Sequence, residues 1–221
     1  MRGIVFLGGE APRPEILRKL IIGAEFLVAA DSGLVAMEEA DIRPHRIVGD
    51  MDSLGSRVSL LDKYPPEIIQ ISPSEKDLTD TELAVDQLKE MGCNEIWLAG
   101  GGGGRIDHLF AIRSLFERED PPSRWYTAKE EIRLIKGGAV LRISLKTGGS
   151  MVSVFPLGDE PWEAESEGLK WPLNGLSWEK GRGGLGISNV AADDSFLIRS
   201  VRGRFMVISQ ISESVYGSDS N

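Results

Sequence analysis

The chain of 221 residues is long enough for one large domain or two small ones. Hydrophobic residues make up 41% and charged residues 27%, which is the composition of an ordinary soluble globular protein. The net charge of −9 argues against nucleic acid or an anionic membrane surface as the main partner, although a bound metal ion would still permit a phosphate substrate.

Cysteine content and hydropathy narrow the class further. Cys93 is the only cysteine, which excludes an intrachain disulfide and a cysteine-based metal cage. The first nine residues hold too short an apolar core for a signal peptide, and no apolar run approaches the length of a membrane span. We therefore expect a cytoplasmic protein that does not act on membranes.

The first half of the chain alternates strand-like and helix-like segments. Apolar runs predict strands at 3–8, 25–30, 46–48, 67–71 and 95–99, and amphipathic stretches predict helices at 12–22, 34–40, 54–64, 79–91 and 107–117. This alternation is typical of βαβ units and predicts an α/β fold with a mostly parallel sheet. Ligands of such sheets bind at the carboxyl ends of the strands.

The pattern changes after Asp120-Pro121-Pro122. Short β-like runs follow at 132–135, 140–145, 151–155, 196–200 and 205–211, separated by Gly, Pro and Asn. We predict a smaller all-β, sandwich-like domain. The predicted boundaries are 1–122 for the α/β domain and 123–221 for the β domain.

Two acids follow the third predicted strand. Asp50 and Asp52 come after Gly49 in the motif Gly-Asp-Met-Asp-Ser. In extended backbone, residues two apart point the same way, so this pair would face one volume. Carboxylate oxygens suit Mg²⁺, which leaves coordination positions for water and substrate phosphates. Taken alone, the motif is equally consistent with a solvated turn.

A second acidic motif spans residues 75–82. Thr79 and Glu82 fit a capping box, and that structural role alone accounts for Asp80 in the first turn of a helix. The functional interpretation adds Lys76 as a point charge for phosphate. It also gathers four acids around one metal ion: Asp50, Asp52, Asp77 and Asp80.

The third motif is the glycine run Gly100–Gly104, which follows a strand and precedes a helix. Such a run lets backbone amides approach phosphate closely, but it is neither a Walker A motif nor a dinucleotide fingerprint. Arg105 could stabilise charge on a transferring phosphate. Asp107 is either a helix cap or an acid of the site, and spacing favours the cap. His108 is interpreted as a packing or hydrogen-bonding residue.

The fourth motif comprises residues 168–173 and 184–189. Trp171 has a loop-like context, in which an indole could stack on a flat cationic ring. A core or interface position is the more frequent role for a single tryptophan.

Together these motifs resemble the thiamine pyrophosphokinase family over nearly the whole chain. Six stretches carry the resemblance, in order: Ala30-Asp31-Ser32-Gly33, Gly49-Asp50-Met51-Asp52-Ser53, Asp77-Leu78-Thr79-Asp80, Gly103-Gly104-Arg105-Ile106-Asp107-His108, Gly168-Leu169-Lys170-Trp171-Pro172-Leu173 and Gly186-Ile187-Ser188-Asn189. The chain departs from the family at Ser32, Leu34 and Val35, and at His45, where the family commonly has Asp.

The resemblance implies an activity and an architecture. The α/β domain would bind ATP and Mg²⁺, and the β-sandwich would contribute to thiamine binding in a homodimer whose active sites lie between subunits. The diphosphoryl group of ATP would pass to the thiamine hydroxyl, giving thiamine diphosphate and AMP. The alternatives are a diphosphokinase for another hydroxymethyl heterocycle, such as a pterin, and a noncatalytic nucleotide- or thiamine-binding protein.

The same resemblance assigns roles by motif match. The metal would be held by Asp50, Asp52 and Asp80 with Asp77 near it, and Asp107 would lie close to the thiamine and metal site. ATP and its phosphates would be bound by Asp31, Lys76, Gly103, Gly104 and Arg105. Thiamine would stack on Trp171 and hydrogen-bond to Ser188 and Asn189. The general base stays open between Asp107 and the metal-site acids.

Overall fold

The structure, a computed structural model, describes residues 1–73, 78–159, 161–181, 186–212 and 215. The chain divides into two units, Met1–Ala128 and Lys129–Asn221. Within the described ranges, every helix is too short or too polar to cross a membrane.

The first unit is built on a parallel sheet, as the sequence predicts. Its strands are β1 (Arg2–Phe6), β2 (Phe26–Ala30), β3 (Arg46–Gly49), β4 (Ile69–Ile71), β5 (Glu95–Ala99) and β6 (Arg124–Tyr126). They lie in the order β6-β5-β1-β2-β3-β4, and each neighbouring pair is parallel. The carboxyl ends of all six strands therefore meet at one edge.

Four α-helices connect these strands: α1 (Pro14–Leu20), α2 (Gly33–Glu39), α3 (Asp80–Glu90) and α4 (Ile106–Leu115). The predicted capping box starts α3. The Glu82 N–H donates to the Thr79 hydroxyl at 3.2 Å, and the Thr79 N–H donates to the Glu82 carboxylate at 2.8 Å. Because these bonds satisfy amides that a helix start leaves open, the cap fixes where α3 begins.

The helix predicted at 54–64 is wrong in type. A 3₁₀ segment spans Asp52–Lys63, interrupted at Gly55 by a φ of 52°, and a second 3₁₀ turn covers Pro66–Ile68. Leu54 is the one residue of the long segment that is buried. Without an apolar face to pack, the stretch gains little from a regular α-helix.

The second unit consists of two antiparallel sheets. Its strands are β7 (Glu130–Lys136), β8 (Val140–Ser144), β9 (Met151–Leu157), β10 (Glu163–Glu167), β11 (Asn189–Val190), β12 (Ser195–Arg202) and β13 (Arg204–Gln210). One sheet has the order β11-β9-β13-β7 and the other β10-β12-β8. Side chains from both, such as Val154 and Ile198, share one apolar core, which confirms the sandwich-like domain.

Three strands of the described residues, β6, β10 and β11, show no recognisable pattern in the sequence, and β10 shows why. Its exposed positions are glutamates, while the buried positions hold Ala164 and Ser166. The alternation has period two, but its inward side chains are small or polar and give no apolar signal. Strands β6 and β11 are only three and two residues long, too short for periodicity to register.

Candidate active site

Three acids lie where neighbouring elements of the first unit begin or end. Asp31 follows β2, Asp50 follows β3, and Asp80 is the first residue of α3. Because β2 and β3 are adjacent and parallel, their carboxyl ends bring Asp31 beside Asp50. The capping box holds Asp80 at the start of its helix.

These three carboxylates converge. Each offers one oxygen that lies within 4.8 Å of the corresponding oxygens of the other two, and each residue is partly buried. A side chain at Gly49 would place its Cβ 3.1 Å from the Asp31 Cβ, and Gly49 has a φ of 150°. Glycine at this position therefore lets the two strand ends approach closely.

The environment of Asp31 favours a cation. Burial raises the pKa of its carboxyl, and a hydrogen bond from Ser53 partly offsets this. Repulsion from three neighbouring carboxylates raises the pKa further, those of Asp80, Asp50 and Asp52. The Asp31 Oδ1 atom is buried and has no hydrogen-bond partner within the described part of the chain. A buried oxygen without a donor, on a carboxyl group that converges with two others, fits the ligand set of Mg²⁺.

Asp52 lies beside this cluster, but not for the geometric reason given by the sequence. Met51 has a left-handed backbone with φ 66°, so Asp50 and Asp52 do not flank an extended residue. The Asp52 N–H instead donates to Asp50 Oδ1 at 3.1 Å. The Asp52 charge still acts on Asp31 and Arg105. Two other predicted site residues, Lys76 and Asp77, lie outside the described residues.

The backbone amides of the glycine run Gly100–Gly104 fall into two groups, those that bond to other backbone groups and those that do not. Amides of Gly100, Gly101 and Gly102 donate to backbone carbonyl oxygens of Tyr126, Gly8 and Glu10 at 2.8, 2.9 and 3.1 Å. The amides of Gly103 and Gly104, with φ of 64° and 69°, have no hydrogen-bond partner among the described residues. These two amides are therefore the ones that can bind an anion.

Arg105 and Asp107 form a two-point ion pair. Arg105 Nε and Nη2 donate to the two Asp107 carboxylate oxygens at 3.2 and 2.6 Å. The hydrogen bond from Arg105 is the main cause of the lowered Asp107 pKa, and both side chains are exposed. Arg105 is the N-cap residue of α4, so the cap role predicted for Asp107 is wrong: its carboxylate turns back to Arg105.

Trp171, in the second unit, differs from the other tryptophans. Trp171 is 53% exposed, whereas Trp97, Trp125, Trp162 and Trp178 are buried. Lys170 Nζ lies 4.6 Å from the centroid of the Trp171 ring, a distance typical of a cation–π contact. The core interpretation of Trp171 therefore does not apply.

Asn189 fixes the backbone at Trp171. Asn189 is buried, and its Nδ2 donates to the Trp171 carbonyl oxygen at 2.6 Å. Its Oδ1 accepts from the N–H of Trp171 at 3.2 Å and of Val190 at 2.8 Å. Ser188 has a left-handed φ of 54°, and its N–H donates to Ser153 Oγ at 3.1 Å. Asn189 thus fixes the backbone from which the Trp171 side chain projects.

Backbone strain coincides with these motifs. Among the described residues other than glycine, four have a positive φ: Asp31, Asp41, Met51 and Ser188. Three of the four lie in the acidic or the Trp171 motifs. Such conformations cost free energy and cluster at functional sites, which supports a functional role for the loops of each unit that carry them.

Convergent carboxylates and open glycine amides at the carboxyl edge of a parallel sheet define a phosphotransferase site for a metal-chelated phosphate. Two family models match the chain: "Thiamin pyrophosphokinase, catalytic domain" over residues 17–122 and "Thiamin pyrophosphokinase, vitamin B1 binding domain" over residues 139–202. The chain belongs to the thiamine pyrophosphokinase family, as its motifs predict.

Individual relatives agree with this family. The thiamine pyrophosphokinase of Bacillus subtilis (strain 168) is 27% identical over 150 residues, which are 66% of this chain and 70% of the relative. A crystal structure of the enzyme from Bacillus subtilis matches with a TM-score of 0.75 and 22% identity, covering 96% of this chain and all of that chain. The crystal structure of the thiamin pyrophosphokinase from Geobacillus thermodenitrificans matches with a TM-score of 0.72 and 27% identity, covering 97% of this chain and all of that chain.

From the sequence, Asp31 is expected to bind ATP and is not among the predicted metal ligands. The available signal was its place at the end of the strand before β3. That position points to the metal site only if β2 and β3 are neighbours in the sheet. The alternation of strands and helices along the sequence does not reveal the order of strands in the sheet.

Proposed function

We propose that the chain transfers the diphosphoryl group of ATP to the hydroxyl of thiamine. In this reaction the thiamine hydroxyl oxygen bonds to the β-phosphorus of ATP, the bond between that phosphorus and the AMP oxygen breaks, and the hydroxyl proton passes to a base. The observation that carries the proposal is the convergence of Asp31, Asp50 and Asp80 in a chain that both domain models of the family match.

The first unit offers room for the nucleotide beside the acids. A cavity of about 490 Å³ is lined by Ser32 and Ser53, which adjoin Asp31, and by two arginines, Arg13 and Arg57. A nucleotide needs a space of this size. We assign the nucleotide phosphates to the open amides of Gly103 and Gly104 and to the guanidinium of Arg105.

Asp31, Asp50 and Asp80 would hold Mg²⁺, with Asp52 beside them. Bound there, the ion would neutralise charge on the phosphate oxygens as the bond to AMP breaks. The protein's own contribution is position: two strand ends and a capped helix start fix the three carboxylates before substrate arrives.

The proton of the thiamine hydroxyl needs an acceptor. Asp107 is the weaker candidate, because its ion pair with Arg105 lowers its pKa and occupies both carboxylate oxygens. We assign the proton to Asp52, an exposed acid beside the cluster whose carboxylate is not one of the three that converge.

We assign thiamine to the Trp171 motif. An exposed indole that already holds a lysine ammonium over its face can bind a flat cationic ring in the same way. Asn189 holds the backbone at Trp171, and Ser188 lies in the same loop. The proposed division of labour is ATP and metal on residues 1–122 and thiamine on residues 123–221.

Replacing Trp171 by Ala should raise the KM for thiamine about tenfold with little change in kcat, since a stacked cation contributes about 1–2 kcal/mol. Trp171→Phe should recover most of the affinity because it keeps a flat ring. Steady-state kinetics at saturating ATP measures both. An unchanged KM in Trp171→Ala would remove the residue from the thiamine site.

We also propose that the enzyme works as a homodimer. Ile106 and Phe110 lie one turn apart on α4 and are 66% and 64% exposed. A second copy that covers this apolar pair would remove it from water.

The deciding experiment is to incubate the protein with ATP, Mg²⁺ and thiamine and to identify the products. We expect AMP and thiamine diphosphate in equal amounts. ADP with thiamine monophosphate would overturn diphosphoryl transfer, and thiamine binding without turnover would favour the binding protein. The pterin alternative is not favoured, since the second family model is named for vitamin B1 binding.

A further inference from the structure

A second cavity, of about 470 Å³, lies in the first unit at the edge of the sheet opposite the acidic cluster. Its lining includes Phe26 and Arg46, the first residues of β2 and β3, and Ile68, the residue before β4. In a parallel sheet these amino ends share one edge, whereas Asp31 and Asp50 follow the carboxyl ends. The cavity is therefore separate from the candidate active site.

The cavity is locally basic in an acidic protein. Arg43 and Arg46 line it, and none of its lining side chains, all of them within the described residues, is a carboxylate. Glu38, the acid that Tyr64 contacts, is also bonded by Lys63 and lies within the electrostatic influence of Arg43, so two cations act on its single negative charge. For a chain with a net charge of −9, a cavity of this kind selects anions.

His45 and Arg46 are held in place before any ligand arrives. His45 Nδ1 accepts the Leu27 N–H at 3.0 Å, so the proton of the neutral ring resides on Nε2, which is a donor. The ring also contacts Phe26 edge-on at 5.6 Å. Arg46 Nη1 donates to the His45 carbonyl oxygen at 2.8 Å. Its other N–H groups have no hydrogen-bond partner among the described residues and can therefore reach a ligand.

We propose that this cavity binds an organic phosphate that carries a flat ring, of the size of a nucleoside monophosphate. Arg43, Arg46 and His45 Nε2 supply donors for the phosphate, in the manner of charge-assisted anion sites. Phe26 and Ile68 contribute to an apolar wall against which the ring packs. The proposal does not depend on the catalytic assignment, because it concerns the other edge of the sheet.

The two histidines allow a direct test. His45 lines this cavity, and His108, the only other histidine, lies on α4 beside the glycine run. Adenosine 5′-monophosphate is titrated into the full chain in EDTA, and the ring resonances of both histidines are followed by NMR. We expect the His45 resonances to shift and saturate with a Kd below about 1 mM. Movement of His108 alone, or no movement of His45 up to about 10 mM, would overturn the proposal.

Matched variants identify the basic groups. Arg43→Gln with Arg46→Gln should raise the Kd reported by His45 at least tenfold, the loss of about 1.4 kcal/mol or more. Arg199→Gln, which changes an exposed arginine of the second unit, should leave it unchanged. Inorganic phosphate should bind about tenfold more weakly than the monophosphate, because it lacks the ring. Equal Kd values for the double variant and the unaltered chain, or for the two ligands, would contradict the site.

Discussion

Replacing Asp31 by Asn is expected to lower kcat/KM for ATP about a thousandfold while the fold is retained. Asp31 is one of three carboxylates whose oxygens converge within 4.8 Å, and its buried Oδ1 has no hydrogen-bond partner in the described part of the chain. Removing one anionic ligand from a metal that stabilises charge in the transition state costs about 4 kcal/mol, which corresponds to this factor. Steady-state kinetics with ATP, Mg²⁺ and thiamine measures the loss.

The same substitution should stabilise the metal-free protein. The pKa of Asp31 is raised in the folded state, chiefly by burial and then by its acidic neighbours. The ionised carboxylate therefore destabilises the fold, and its cost grows as the pH rises through that pKa. We expect Asp31→Asn to melt at a higher temperature than the unaltered chain in EDTA at neutral pH. It should lose most of the rise in Tm that Mg²⁺ gives the unaltered chain.

Asp41→Asn is the matched control. Asp41 has nearly the same left-handed backbone as Asp31, with φ of 55° against 50°, but it is exposed and outside the cluster. Asn tolerates this conformation at both positions. Asp41→Asn should leave turnover and the Mg²⁺-dependent Tm unchanged. If Asp31→Asn keeps near-normal turnover, or still gains full stabilisation from Mg²⁺, Asp31 is not a metal ligand.

Sequence pattern predicted the parts of the site that depend on local chemistry. The alternation of strands and helices placed Asp31, Asp50 and the glycine run at strand carboxyl ends, and the capping box placed Asp80 at the start of α3. These features rest on periodicity and hydrogen bonding within a few residues. The membership of the cluster rests on which strands are neighbours, and that order is a property of the whole sheet.

The remaining differences come from single backbone conformations and long-range bonds. Met51 is left-handed, so the shared direction inferred for Asp50 and Asp52 does not exist. Asn189 is predicted to hydrogen-bond thiamine, and the sequence did not reveal that its amide also bonds the backbone of Trp171, 18 residues away in sequence. Neither feature changes the hydrophobic periodicity of the sequence, so neither could be predicted from it.

A second large effect is expected at Glu131, in strand β7 of the second unit. Glu131 is 0% exposed, forms an ion pair with Arg133, and accepts the N–H of Ser212 at 3.1 Å. Arg133 Nη2 also donates to Ser212 Oγ at 3.0 Å, which closes the network. Glu131→Gln keeps the volume but leaves the nearly buried Arg133 without its counter-charge. We expect a loss of about 3 kcal/mol in the free energy of unfolding at pH 7, measured by urea titration.

The pH dependence separates lost charge from lost packing. Burial acts to raise the pKa of Glu131, but Arg133 and Ser212 together hold it below its ordinary value of 4.5. For a carboxyl lowered in this way, the stabilisation is complete above the unfolded-state pKa and disappears as the pH falls through the folded-state pKa. The difference between Glu131→Gln and the unaltered chain should therefore be full at pH 7 and shrink below about pH 4. A difference that stays constant with pH would assign the loss to packing.

Two further variants test whether the uncompensated arginine causes the loss. Glu165→Gln breaks an exposed pair with Arg199, whose charged atoms are 3.8 Å apart, and should cost less than about 0.5 kcal/mol. Adding Arg133→Met to Glu131→Gln removes the buried charge that the single variant leaves unpaired, and should recover at least about 1 kcal/mol. If adding Arg133→Met instead lowers the free energy of unfolding further, the two residues stabilise the protein independently. In that case the loss in Glu131→Gln would not come from leaving Arg133 unpaired. Recovery of stability in the double variant would instead show that Glu131 is kept in the second unit because it neutralises Arg133.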